Sequence, residues 1–346
     1  MKRLLTLAMV LSAMSLLLVS CGKRRETLHI YNWGDYISEQ VVKDFEQEFG
    51  CEVKIDTFDS NEAMYAKLQT GAGGYDIVVP STYLAKLMFE EQMIDRLDHA
   101  KLPNVTKYFD RSYAKLTFDS DMTYTVPYFV SFTGIGYDST QVKDFQPTWR
   151  MLERTDLKGS MSLLDDQREV LGCALTTLGY SVNDTDQKHV DEAVALITRW
   201  KANIAKFGVD DTKQSLASGE FKLIQTYSGD MLQVMMEKPE IRFVIPKEGS
   251  TVTFDNFAIM RNSTNKDLAY AFINYIYRPE VAARNMDEIM YVTPHTEAVN
   301  MVDAALRANP AFTIPAEERQ RCTPLDNLGE KKIIFDRAWD QVKSVE

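Results

Sequence analysis

Acidic, hydroxyl and aromatic side chains gather at six places in this 346-residue chain. The clusters are Trp33-Gly34-Asp35-Tyr36, Ser81-Thr82-Tyr83, Asp165-Asp166-Gln167-Arg168-Glu169, Tyr227-Ser228-Gly229-Asp230, Asp255 and Tyr291. Together these residue types suit the recognition of an amine. An ammonium offers only donors, so carboxylates must receive its protons. Tyr and Trp faces attract cations and cover methylene chains. Desolvating each cation costs several kcal/mol even after relaxation, while a charge-assisted hydrogen bond returns about 1.5–3 kcal/mol. Several carboxylate bonds are therefore needed per ammonium head. Each residue alone has a plainer reading, because a Trp after a strand is commonly core and an Asp there commonly caps a helix. The clusters alone do not fix the ligand.

Other chemistries lack their residues. The sequence holds no HExxH, no GxSxG and no GxxxxGK[ST]. Gly71-Ala72-Gly73-Gly74 precedes a strand and lacks the Lys-Ser/Thr pair, so it reads as a turn. His29, His99, His189 and His295 are scattered, none beside a Cys or an acidic cluster. No catalytic residue, metal site or cofactor is assigned, and the chain is not expected to be an enzyme. The net charge of −11 leaves no basic surplus for phosphates, so nucleic acid is not an expected partner.

The elements that must position these clusters alternate. Thr27 to Tyr31 reads as a strand, Ile37 to Phe49 as a helix stopped by Gly50, and Val53 to Phe58 as a strand. Ser60 can cap a helix bearing Met64 and Leu68, and Tyr75 to Pro80 reads as a buried parallel strand. This β-α-β-α-β order predicts an α/β fold with a parallel sheet. Further strands are expected at Met161 to Leu164, Leu223 to Thr226 and Thr251 to Phe254, each ending at a cluster, where ligands of open α/β sheets bind. Helices are expected over His189 to Phe207 and Asp267 to Tyr277. Thr123 to Gly136 reads as two short extended pieces where the chain crosses between lobes. At 45% hydrophobic and 26% charged, the chain is globular and long enough for about two domains.

Residues 1–20 read as a signal peptide: Lys2 and Arg3, then the sixteen largely apolar residues Leu4 to Val19, too short for a bilayer span. Leu18-Val19-Ser20-Cys21 resembles a bacterial lipobox, which makes Cys21 the lipidated N-terminus and 21–26 a tether. Loss of Lys2 and Arg3 takes the net charge from −11 to −13. Cys51, Cys173 and Cys322 are odd in number without CxxC spacing, and each is expected to be a buried thiol.

The segments Tyr31-Asn32-Trp33-Gly34-Asp35-Tyr36, Asp59-Ser60-Asn61-Glu62-Ala63-Met64 and Tyr75-Asp76-Ile77-Val78-Val79-Pro80-Ser81 closely resemble the polyamine-binding proteins of bacterial ABC importers, the PotD/PotF family. The resemblance spans residues 27–346. It resumes at Asp165 to Val170, Ile245 to Gly249 and Tyr277 to Ala282. It implies a periplasmic-binding-protein fold of two α/β lobes hinged around a central ligand cleft, with 27–131 plus 257–295 in one lobe and 132–256 plus 296–346 in the other. It also implies putrescine and/or spermidine as ligand, an ABC permease as partner, a monomer, and a periplasmic, lipid-anchored location. Carried over by motif, Trp33, Tyr36 and Tyr291 line the alkyl chain, Asp35 lies near a terminal amine, and Ser81 and Tyr83 are polar contacts. Asp166 and Glu169 receive an amine from the other lobe, Arg168 orients their carboxylates, and Asp255 takes a central or terminal amine. Tyr227 stands where the family usually has Trp. Asp230 resembles the putrescine type and Asp166 the spermidine type, while Thr253 and Leu325 replace a wall aromatic and a Gln. A sensor, an adhesin or a module for another small cationic amine on the same fold is the alternative. An amino-acid binder would need a cation for the carboxylate, and the matched positions offer only Arg168.

Overall fold

Strand β1 (Thr27–Trp33) pairs in parallel with β2 (Glu52–Phe58) along its whole length, from Thr27 opposite Glu52 to Trp33 opposite Phe58. Its other edge pairs with β3 (Ile77–Val78), also in parallel. The computed structural model describes residues 25–58, 60–71 and 73–344, so the signal segment, Cys21 and most of the tether lie outside the described residues. Helices Glu39–Phe49 and Asn61–Gln69 connect the three strands. Ser38 starts the first by accepting from the Val41 amide, and Gly50 ends it at φ 65°. Val41 and Phe45 on its inner face are fully buried, each contributing about 1.5–3 kcal/mol of apolar burial.

The remaining strands are β4 (Val126–Asp138), β5 (Met161–Leu163), β6 (Lys206–Phe207), β7 (Leu223–Tyr227), β8 (Ile241–Val244), β9 (Ser250–Ile259) and β10 (Cys322–Pro324). Among the described residues the order is β2-β1-β3-β9-β4-β7-β5-β6, with β10 on β9 and β8 on β4. Two long strands thus join the β2-β1-β3 half to the β7-β5-β6 half. From Val126 to Phe132, β4 pairs with β9; from Thr133 onward it pairs with β7 and then also β8. The segment read as two extended pieces is therefore one strand that changes partners. Gly134 and Gly136 do not break it. A Cβ on Gly134 would lie 2.5 Å from the Val244 carbonyl oxygen, and one on Gly136 2.5 Å from the Met231 sulfur. These glycines mark close approach between strands and helix.

Two further expectations are corrected. The helix expected over His189 to Phe207 spans Gln187–Lys201, after which Lys206–Phe207 forms β6 beside β5. Ile204 and Phe207 kept the helical spacing only because they pack on the same core. Asp255 does not follow its strand but lies within β9.

One core (Trp149, Leu163, Val170, Ile197, Trp200, Phe335) lies under the β5 side, and another (Tyr31, Phe58, Met64, Met88) under the β1 side. A third runs across both halves, from Leu28 and Phe45 to Met231 and Phe254. Cys51, Cys173 and Cys322 are buried free thiols. Among the described residues, no helix is long and apolar enough to cross a membrane.

Candidate ligand-binding site

Strand β9 brings Asp255 against Ser81, the residue that starts helix Thr82–Glu90. Ser81 does not use its hydroxyl to cap that helix. Asn61 fixes it instead: Asn61 donates to Ser81 Oγ at 3.0 Å and accepts the Ser81 amide at 3.1 Å. The Ser81 hydroxyl then donates to Asp255 Oδ1 at 2.7 Å, while Tyr36 O–H donates to Oδ2 at 2.8 Å. No cationic side chain among the described residues pairs with this partly buried carboxylate. Burial pushes its pKa up to about 6, with the two hydroxyl donors only partly opposing.

Asp166 and Glu169 open helix Gln167–Thr177, one turn apart. Asp166 is its N-cap, accepting the amides of Arg168 and Glu169 at 2.8 and 3.1 Å. Burial raises its pKa, opposed chiefly by those amides. Glu169 is buried, and the Thr251 hydroxyl donates to it, with Thr133 also a hydroxyl partner. Burial first and the Asp166 charge second push Glu169 up to about 7. Arg168 bonds neither carboxylate. It donates to the Asp326 carbonyl and to Asn183 Oδ1, each at 2.9 Å, and packs over Phe335. Its expected orienting contacts are thus absent, although its charge opposes the rise at both acids.

Aromatic rings join these groups. The Tyr36 and Tyr291 rings meet edge to face, with centroids 5.1 Å apart. Tyr291 lies against Gly229, where a Cβ would sit 2.3 Å from its ring, and its hydroxyl donates to Asp230 Oδ1 at 3.4 Å. Tyr227, at the end of β7, has its pKa raised by burial and then by Asp166, Glu169, Asp230 and Tyr291. Tyr83 donates to Glu62 at 3.3 Å, and its pKa is raised by burial and then by Glu62 and Asp166.

Nine of the eleven expected binding residues thus form this set: Tyr36, Ser81, Tyr83, Asp166, Glu169, Tyr227, Asp230, Asp255 and Tyr291. The other two are held elsewhere. Trp33 donates to the Val79 carbonyl at 3.0 Å and packs on Phe58. Asp35 occupies an exposed turn at φ 49°. Asp230, an expected ligand-binding residue, forms an ion pair with Lys213 at 3.2 Å. Sequence reasoning missed Asn61, Glu62, Thr133, Thr251 and Lys213 as part of the site. Asn61 and Glu62 sat in a segment read only as the start of a helix and for its resemblance, and a Thr or Lys in ordinary elements carries no local signal.

A sheet of two halves joined by long strands, with facing acids and rings and an unpaired carboxylate at their junction, defines a solute-binding protein of the periplasmic-binding-protein class. The family model for bacterial extracellular solute-binding proteins matches residues 40–314, and the chain belongs to that family. Its members are binding components of transport rather than enzymes. The chain is 35% identical to the putrescine-binding periplasmic protein PotF of Escherichia coli, over 96% of both chains. It is 33% identical to the spermidine/putrescine-binding periplasmic protein of the same organism, over 92% of both. It also resembles the solved structure of a putative spermidine/putrescine ABC transporter from Listeria monocytogenes, at TM-score 0.85 and 37% identity, covering 92% of this chain and 99% of that one.

Proposed function

We propose that this protein captures putrescine and/or spermidine between its two lobes and delivers the polyamine to an ABC importer. One observation carries the reading: Asp255 is an acid in a desolvated setting, held by two neutral hydroxyls, with no cationic side chain beside it among the described residues. A ligand ammonium supplies the missing charge. Asp166 and Glu169 receive the amine at the other end, Tyr36, Tyr227 and Tyr291 cover the methylenes with Trp33, Ser81 and Tyr83 are polar contacts, and Asp35 lies near a terminal amine. The lobes are 27–131 plus 257–295 and 132–256 plus 296–346, a division supported by the change of partners in β4 at Phe132 and Thr133. Asp255→Asn and Glu169→Gln each weaken polyamine binding in calorimetry by about tenfold or more, because a charged acceptor is lost while the ammonium is still desolvated. Unchanged affinity in both variants removes these residues from the site.

The relatives are periplasmic proteins, and the lipobox-like segment supports lipid anchoring through Cys21. Detergent phase partitioning checks this: Cys21→Ala moves the protein to the aqueous phase, and retention in the detergent phase as lipoprotein contradicts the anchor.

A further inference from the structure

Lys86, on helix Thr82–Glu90, lies one turn beyond Tyr83. Its ammonium reaches Asp326 Oδ1 at 3.5 Å and stands 5.6 Å from the centroid of the Phe118 ring. By the division proposed above, Lys86 belongs to one lobe and Asp326 to the other. Asp326 is braced on its own side. Its amide donates to Asn183 Oδ1 at 2.9 Å, its carbonyl accepts from Arg168 at 2.9 Å, and its Oδ1 accepts from the Asn327 amide at 2.7 Å. Asn183 in turn accepts from Arg168 and donates to the Pro324 carbonyl, each at 2.9 Å. Arg168 lies between Asp166 and Glu169 in the first turn of helix Gln167–Thr177. The ion pair thus joins the helix that carries Tyr83 to a segment braced by the helix that carries Glu169.

We infer that Lys86 and Asp326 form a latch between the lobes that holds the cleft shut on its ligand and slows release. The inference rests on the polyamine reading and the lobe division above. The two are positioning residues: they keep Tyr83 on one lobe near Asp166 and Glu169 on the other. Their side chains are 37% and 39% exposed, so water solvates both when they part. An ion pair this exposed shifts an equilibrium by about fivefold at most, which suits a cleft that must reopen to hand on its ligand. Latch and ligand favour the same closed arrangement, so each stabilises the other. A field effect alone has the opposite sign at Lys86, because a positive charge near a cation site repels the ligand. Under a latch, loss of either charge weakens binding; under a field alone, loss of the lysine charge strengthens it.

Calorimetry and stopped-flow kinetics with putrescine and spermidine test this at about 0.15 M salt, where distant charges are screened over about 8 Å. The proteins are the wild type, Lys86→Met, Asp326→Asn, Lys86→Met/Asp326→Asn and the charge swap Lys86→Asp/Asp326→Lys. Each single variant is expected to lose about threefold in affinity for the polyamines that the wild type binds, through faster dissociation at an unchanged association rate. The double variant loses no more than either single one, and the swap returns to within about twofold of the wild type. Should the swap fold poorly, the cycle of the first four proteins decides by itself. Binding by Lys86→Met as tight as the wild type, or tighter, overturns the latch. Losses that add in the double variant, or a folded swap as weak as that variant, also overturn it. Failure of the wild type to bind either polyamine overturns the parent reading instead, which keeps the two failures distinct.

Discussion

Asp255 is a residue kept at the expense of the ligand-free fold. An ordinary Asp titrates near 3.9 when unfolded, whereas this one is pushed up to about 6 by burial. Between those values the folded chain holds a proton that the unfolded chain has lost, so this group's contribution to stability falls as pH rises through that window. Above it, the native state carries a poorly solvated carboxylate, and a bound ammonium reverses the penalty. Asp255→Asn, besides binding polyamine poorly, therefore melts no lower than the wild type at pH 7 without ligand, as thermal unfolding would record. A marked loss of melting temperature would mean instead that the carboxylate supports the fold. Residue types revealed this site only in part. Asp255, Tyr36 and Ser81 stood out as amine-binding chemistry and do meet. Asp166 proved to be both a helix cap and a neighbour of Glu169, two readings the sequence alone could not separate. The Lys213 pairing was not legible, because it depends on how two helices pack rather than on any local motif.

At the scale of elements, glycines decide how closely the parts approach. Gly229 lies in the first turn of helix Ser228–Glu237, with the Tyr291 ring directly on it. Gly229→Ala would place a methyl 2.3 Å from ring carbon. The ring must then move off Asp230 and Tyr36. We expect polyamine affinity to fall by about tenfold, in line with the roughly 1–3 kcal/mol cost of overpacking. Native affinity in this variant would show that the ring is free to shift. The first strands and helices were legible because period, cap and stop agreed: Ser38, the apolar pair Val41 and Phe45, and Gly50 mark one helix without help from the rest of the chain. The end of helix Gln187–Lys201 was hidden because Ile204 and Phe207 serve the same core from a non-helical path. Strand β4 looked interrupted because glycine weakens a strand in isolation, whereas here it admits Val244 and Met231.

For the whole molecule, two sheet halves share the long strands β4 and β9, and the acids and rings converge where these strands change partners. Composition argued against nucleic acid as a partner, and alternation gave the α/β class. The two-lobe arrangement came from resemblance, since no period in the sequence reports which strand pairs with which across 100 residues or more. The central claim is that desolvated carboxylates, with Asp255 lacking a cationic partner among the described residues, receive the ammonium groups of a polyamine. Asp255 and Glu169, pushed up to about 6 and about 7, hold protons at mildly acid pH that a bound ammonium must expel. Affinity therefore rises with pH through about 6–7 and levels off by about 8. Titration calorimetry of the wild type with putrescine and spermidine, at pH 6 and pH 8 in two buffers of different ionisation enthalpy, tests this directly. The account predicts one-to-one binding of at least one polyamine, tighter at pH 8, with protons released to buffer at pH 6 and few at pH 8. Absence of binding to both, or an affinity equal at the two pH values with no proton release, would contradict it.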